Sequence, residues 1–185
     1  MPARDADHFD ELRISLEHLI VVQNDDADQY DDNYVQHISG PVYLVHGEPE
    51  QETKIGEVEL IYFAGSRAVE NGLDIVDMSD SVGQEEYEYA KAVYTGGVLD
   101  REIVEEPMSN DLLAIHAVSL STEYRRYVSR VVEKIGETIG YHCGAVVMGS
   151  DGVEPDAVAE TELGYLQPFQ LAPTKSPAVN ILAFY

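Results

Sequence analysis

Two sets of side chains in this sequence have the type and spacing to do chemistry. Arg125, Arg126 and Arg130 lie close together although the chain carries 35 acidic against 11 basic residues and a formal charge of -24. Basic groups at the start of a helix oppose its macrodipole, so local helix stability does not account for them. An anion does: the unpaired N–H groups of a helix N-terminus, joined by guanidinium groups, make a phosphate site. The second set centres on His116, because imidazole is the side-chain type suited to a general base at neutral pH. A histidine hydrogen-bonded within a sheet is the competing reading of the same residue.

The elements that must position these groups are legible in residues 111–140. Leu113, Ile115, Ala117 and Ser119 alternate with Ala114, His116, Val118 and Leu120, which predicts a strand with the two sets on opposite faces. The period then changes, and Val128, Val131, Val132, Ile135 and Ile139 recur at helical spacing. A helix over 124–139 follows, with Ser121 or Thr122 as its cap and Gly140 as its end. Cys143–Met148 is a short apolar run that suits a buried parallel neighbour of the first strand, closing a β-α-β crossover.

Leu120-Ser-Thr-Glu-Tyr-Arg125 followed by a helix resembles the central strand-loop-helix of the GNAT superfamily of acyl-CoA-dependent N-acetyltransferases, usually V-x-P-x-x-R/Q-x-x-G-x-G/A. Glu162-Leu163-Gly164-Tyr165 is similar to that family's late helix-to-strand signature, and the likeness covers roughly residues 111–185. It implies an α/β fold: a mixed, mostly antiparallel sheet of six to seven strands flanked by helices. It also implies acetyl-CoA as cosubstrate, held by the backbone of Val118, Ser119 and Leu120 along a splayed strand. The pyrophosphate would fall to Arg125, Arg126, Tyr127, Val128, Ser129 and Arg130. Val128 and Arg130 stand where the family has glycines, and their side chains must point away for a diphosphate to approach. The resemblance implies a catalytic base on the pivotal strand, hence His116, and places Glu160 where a general-acid tyrosine often stands. An unperturbed Glu160 carboxyl would be ionised at neutral pH and needs burial to donate a proton. The interval walling the acceptor site in the family is here the short acidic stretch 24–40, whereas residues 66–110 form an unusually long connection.

Composition narrows the remaining possibilities. A length of 185 residues and 44% hydrophobic content suit a single domain over 1–185, with residues 1–11 polar and frayed. The acidity repels nucleic acid and acidic membranes and attracts cationic partners, so a small-molecule or protein amine acceptor is expected and direct nucleic-acid binding is not. The same surface also suits high-salt solubility, or mimicry of nucleic acid toward a basic partner. An expected rival to the enzyme is a catalytically silent GNAT-like module that binds a basic protein; a homodimer is compatible with either. No apolar run is long enough to span a bilayer and the first residues are unlike a leader, which predicts a cytoplasmic protein. Cys143 is the sole cysteine, and neither the histidines nor the aspartates at 25, 26, 28, 31 and 32 have a metal-site pattern, so no metal is expected.

The rest of the chain reads in order. Leu12–Val22 is a strand, and Pro41–His46 with Ile55–Phe63 form a hairpin. Leu73–Val82 suits a strand or a helix. Ser81 and Gln84 make a capping box before a helix whose buried face is Tyr87, Ala90, Val93 and Tyr94. Gly96 and Gly97 stop that helix. Residues 157–163 form a brief helix, and Tyr165–Leu171 and Ala178–Tyr185 are the last strands.

Overall fold

Alternating apolar residues build one mixed sheet, and the long 63–112 connection and the valine-striped helix cover its two faces. The computed structural model describes residues 11–18, 34–47, 50–149, 169–176 and 179–184. The strand expected at Leu12–Val22 is described as far as His18, as β1 (Glu11–Ile14) and β2 (Glu17–His18). The acidic stretch 23–33, the helix expected at 157–163 and the late signature Glu162–Tyr165 lie outside the described residues.

The predicted hairpin is present and longer than expected: β3 (Val35–His46) pairs antiparallel with β4 (Gln51–Phe63) along its whole length. After a long connection, β7 (Leu112–Leu120) joins β4, followed by β8 (Ala145–Gly149), β9 (Phe169–Pro173) and β10 (Val179–Phe184). The spatial order is β1-β3-β4-β7-β8-β10-β9, with β2 also on β3. Among the described strand pairs only β7–β8 is parallel, so the α/β class and the mostly antiparallel character agree with expectation.

The parallel pair encloses the predicted crossover. Thr122–Tyr127 coils as a 3-10 turn and runs into α4 (Val128–Thr138), whose Val128, Val131, Val132 and Ile135 are buried against Leu113, Ile115, Val146 and Met148. Each fully buried Val or Ile contributes about 1.5–3 kcal/mol, enough to hold a short helix whose first turn carries no acids. The expected hydroxyl cap is absent: Ser121 precedes the coil but its side chain makes no capping bond. Its N–H instead donates to the Ile55 carbonyl at 2.8 Å. Ile55 is the extra residue where the β3–β4 register shifts, so a bulge in one strand fixes where the chain leaves another. Gly140 does not end α4 by a left-handed turn; it begins a 3-10 turn, and a Cβ there would stand 2.5 Å from Val146 Cγ2. Close packing, rather than helix termination, requires this glycine.

On the opposite face lie α1 (Gly65–Glu70), α2 (Ile75–Val82) and α3 (Gln84–Val93). The undecided 73–82 segment is therefore helical, capped by the Asp74 carboxylate on the Val76 N–H at 2.9 Å. The expected capping box is not formed. Ser81 Oγ donates to Met78 O within α2, and Gly83 occupies the start of α3. The buried face of α3 is Glu86, Tyr89, Ala90, Ala92 and Val93, so Tyr89 takes the place expected of Tyr87. Gly96 and Gly97, at φ 58° and 79°, form the two-residue turn of an unforeseen hairpin between β5 (Tyr94–Thr95) and β6 (Val98–Leu99). Cys143 precedes β8 rather than lying in it, half-buried with Sγ 3.8 Å from Ile139 O. Burial, reinforced by Asp111, pushes its thiol up to about 12, which agrees with a structural cysteine. Among the described residues no helix is long and apolar enough to cross a membrane, and no group of metal-ligating side chains is assembled.

Candidate functional site at the fork of β7 and β8

The site begins with a register error. Glu59 lies opposite Ala117 and Leu60 opposite Ile115, which leaves His116 as the extra residue of a bulge in β7. The bulge reverses the phase of alternation: Val118 and Leu120 join Leu113 and Ile115 on the α4 side, contrary to a strict two-residue period. It also coincides with the end of parallel pairing. Leu112–Ile115 matches Ala145–Met148, after which β8 stays with β10 through Met148↔Asn180 and Gly149↔Val179. Among the described residues no strand pairs with that edge of β7 from His116 to Leu120. The strands part at the bulged histidine.

His116 is partly exposed at this fork and turns toward α3. Its Nδ1 is 3.3 Å from Tyr89 Oη, and its Nε2 is 3.5 Å from Glu85 Oε2. A carboxylate only accepts, so the Nε2 proton belongs on the Glu85 side and Nδ1 accepts from the Tyr89 hydroxyl. The phenol ring meets the imidazole edge-on, 6.1 Å between centroids at 82°. Across the fork, a Cβ on Gly149 would stand 2.6 Å from Tyr89 Oη. The hydroxyl therefore sits between the two parting strands, and only glycine at 149 leaves room for it. Alongside, Glu86 is buried and contacts His37 Nε2 at 3.0 Å, so the first turn of α3 brings two carboxylates to two sheet histidines.

The second half of the site follows β7 directly. Arg125, Arg126 and Arg130 are exposed, while Tyr127, Val128 and Ser129 are buried. Val128 therefore points into the core and does not obstruct an anion. The backbone arrangement differs from expectation, because the coil starts earlier than Arg125. The Val128 N–H is taken by Arg125 O and the Tyr124 N–H by Ser121 O at 2.7 Å. The donors at the start of the coil are those of Thr122 and Glu123, not those of Arg125–Arg130. Arg126 lies over the Tyr127 ring at 5.0 Å and donates to its hydroxyl at 3.0 Å; Tyr124 stacks on the same ring at 6.4 Å. Ser129 Oγ is buried and has no hydrogen-bond partner among the described residues. Glu160, the expected general acid, lies outside the described residues.

His116 and the arginines were thus visible in sequence, and the fork brings them to one end of β7. Tyr89 and Glu85 were missed. The one available clue was their spacing of four on a single helix face, which aims both at the same neighbour. No protein family matches the chain, and neither does any characterised protein or solved structure.

Proposed function

We propose that this protein is an acyl-CoA-dependent N-acyltransferase with a GNAT-like fold, transferring an acetyl group from acetyl-CoA to a cationic amine. The observation that carries this reading is the parting of β7 and β8 at His116, immediately upstream of an arginine-bearing helix start. The unpaired edge from His116 to Leu120 offers backbone groups for the pantetheine amides. The Thr122 and Glu123 N–H groups, with Arg125, Arg126 and Arg130, suit the pyrophosphate. The excess of carboxylates attracts an ammonium-bearing acceptor.

The acceptor arrives as an ammonium and must lose a proton before it attacks. Tyr89 takes that proton as it passes its own to His116 Nδ1, and Glu85 stabilises the resulting imidazolium. The nitrogen–carbon bond forms, the carbon–sulfur bond breaks, and nitrogen sheds its second proton. One of the two protons returns through Tyr89 to the CoA thiolate and the other goes to solvent. Glu160 is not needed in this sequence.

Calorimetric titration with acetyl-CoA tests the reading. Saturable binding is expected, weakened about tenfold when Arg125 and Arg126 are both replaced by alanine, as for the loss of charge-assisted contacts. No heat at millimolar cofactor, in both low and high salt, overturns it.

A further inference from the structure

The opposite end of β7 carries a different kind of surface. A groove of about 600 Å³ lies between α1, the β5–β6 hairpin and the 100–110 loop. Val69, Val98, Leu99 and Pro107 line it, and Val69 and Val98 are 46% and 48% exposed. Met108, beside Pro107, is 78% exposed. Val69 and Val98 are two of the few large apolar side chains exposed among the described residues, and both line this groove, with Met108 next in sequence to its Pro107. The loop presenting Met108 is also strained: Glu106, just before Pro107, is the one non-glycine described residue at positive φ, 43°. Glu70 and Asp100 line the groove, and the 100–110 loop that walls it exposes Glu102, Glu105 and Glu106; against these carboxylates stand Arg101 in the lining and Lys175, which is held by Asp100 at 2.6 Å.

We propose that this groove docks a lysine- or arginine-bearing amphipathic helix of a partner protein. The acidic rim selects a basic segment and the apolar floor takes its anchor side chains. An extended segment adding to β6 is excluded by Asn110. Its side chain accepts the Leu99 N–H at 2.7 Å and donates to Gly97 O at 2.9 Å, filling the edge where a strand would pair. A second copy of the chain is disfavoured by the repulsion between two molecules of charge -24. The acidic rim likewise turns away anionic lipid. The groove lies at the end of β7 away from the fork, so this docking does not rest on the acyl-transfer reading.

The test uses the full chain and a synthetic, labelled, amidated leucine–lysine peptide with leucines at helical i, i+3, i+4, i+7 spacing, followed by fluorescence anisotropy. Saturable one-to-one binding is expected, weakened at least tenfold by Val98→Asp. The sign matters, because that substitution adds a negative charge and a purely electrostatic contact would tighten. Val82→Asp, at an exposed apolar position on α2 outside the groove lining, should leave affinity unchanged. Circular dichroism confirms that both variants fold. Glu70→Lys with Glu105→Lys should weaken binding as well. The proposal is overturned if Val98→Asp binds equally or more tightly. Equal binding of a scrambled peptide of the same charge, or no saturation, overturns it too. Self-association by sedimentation that Val98→Asp abolishes assigns the groove to a second copy instead.

Discussion

The two ends of β7 obey opposite rules. At its start the polar groups of Asn110 are all tied down: its side chain bonds β6, its carbonyl accepts from Tyr94 Oη at 2.7 Å, and its N–H donates to Ser66 Oγ at 3.0 Å. Asp111 accepts from the Ser66 N–H at 2.9 Å and from the Gly144 N–H at 2.8 Å. Burial and the nearby Asp111 carboxylate raise the phenols of Tyr62 and Tyr94, which keeps both neutral. At the far end the strand bulges, loses β8 and presents His116. Fastening one end of a strand so completely allows its other end to be left open without losing register, as the proposed binding of a chain-like cosubstrate along that edge would require.

The largest effect should come from breaking the open end. His116→Ala is expected to lower turnover at least a hundredfold, or about 3 kcal/mol of barrier, while sparing acetyl-CoA affinity and melting temperature. Tyr89→Phe removes the hydroxyl from the same relay and should follow it, and Glu85→Gln should cost less because that pair is solvent-exposed. Steady-state kinetics with calorimetry checks all three; undiminished turnover in His116→Ala removes the histidine from the mechanism.

Breaking the fastened end should spare chemistry and reduce stability. Asn110→Ala strands the Leu99 N–H and the Gly97 carbonyl, a loss of about 3 kcal/mol for two partly buried groups left unpaired. For a chain of this size that is roughly 6–12 °C in Tm. Scanning calorimetry reads it directly. A shift under about a degree would mean that water replaces the amide, and that the contrast between the two ends is weaker than the bonding suggests.

The same contrast explains what was legible. The valine stripe of α4, the β3–β4 hairpin and the β7–α4–β8 crossover follow from local periodicity that burial enforces over many residues. The departures occur where long-range packing decides. His116 is a bulge because β4 and β7 differ by one residue in register, and one sequence read alone has no partner against which to count. Ser81 and Gln84 fit a capping pattern, but two helices meet at Gly83 and the serine belongs to the first of them. Tyr89 replaces Tyr87 on the buried face because His116 and the Gly149 gap lie there. The arginines stand out because so acidic a chain has few basic residues, a signal independent of fold.

The smallest expected effect sharpens the comparison at its fastened end. Lys175, between β9 and β10, donates its N–H to Ala92 O and places Nζ 2.6 Å from Asp100 Oδ2 and 3.1 Å from Tyr94 O, tying that connection to the β5–β6 hairpin. The ammonium, with the Glu102 N–H and the Thr95 hydroxyl, lowers the Asp100 carboxyl to about 2. A folded-state value below the unfolded value of about 3.9 means that the carboxylate form is favoured by folding. Its stabilising contribution is therefore complete above about pH 4 and is lost as pH falls through about 2. In Lys175→Ala the Asp100 titration, followed by carboxyl carbon shifts in NMR, should move upward toward the ordinary range. It should not reach it, because the Glu102 N–H and the Thr95 hydroxyl remain. The acid limb of the stability curve should begin correspondingly higher, with little change at neutral pH, since an ion pair this close to solvent adds little there. An unmoved Asp100 titration would show that the loop itself holds the carboxylate, and that the C-terminal strands are fastened to this end of the molecule through backbone and apolar contacts alone.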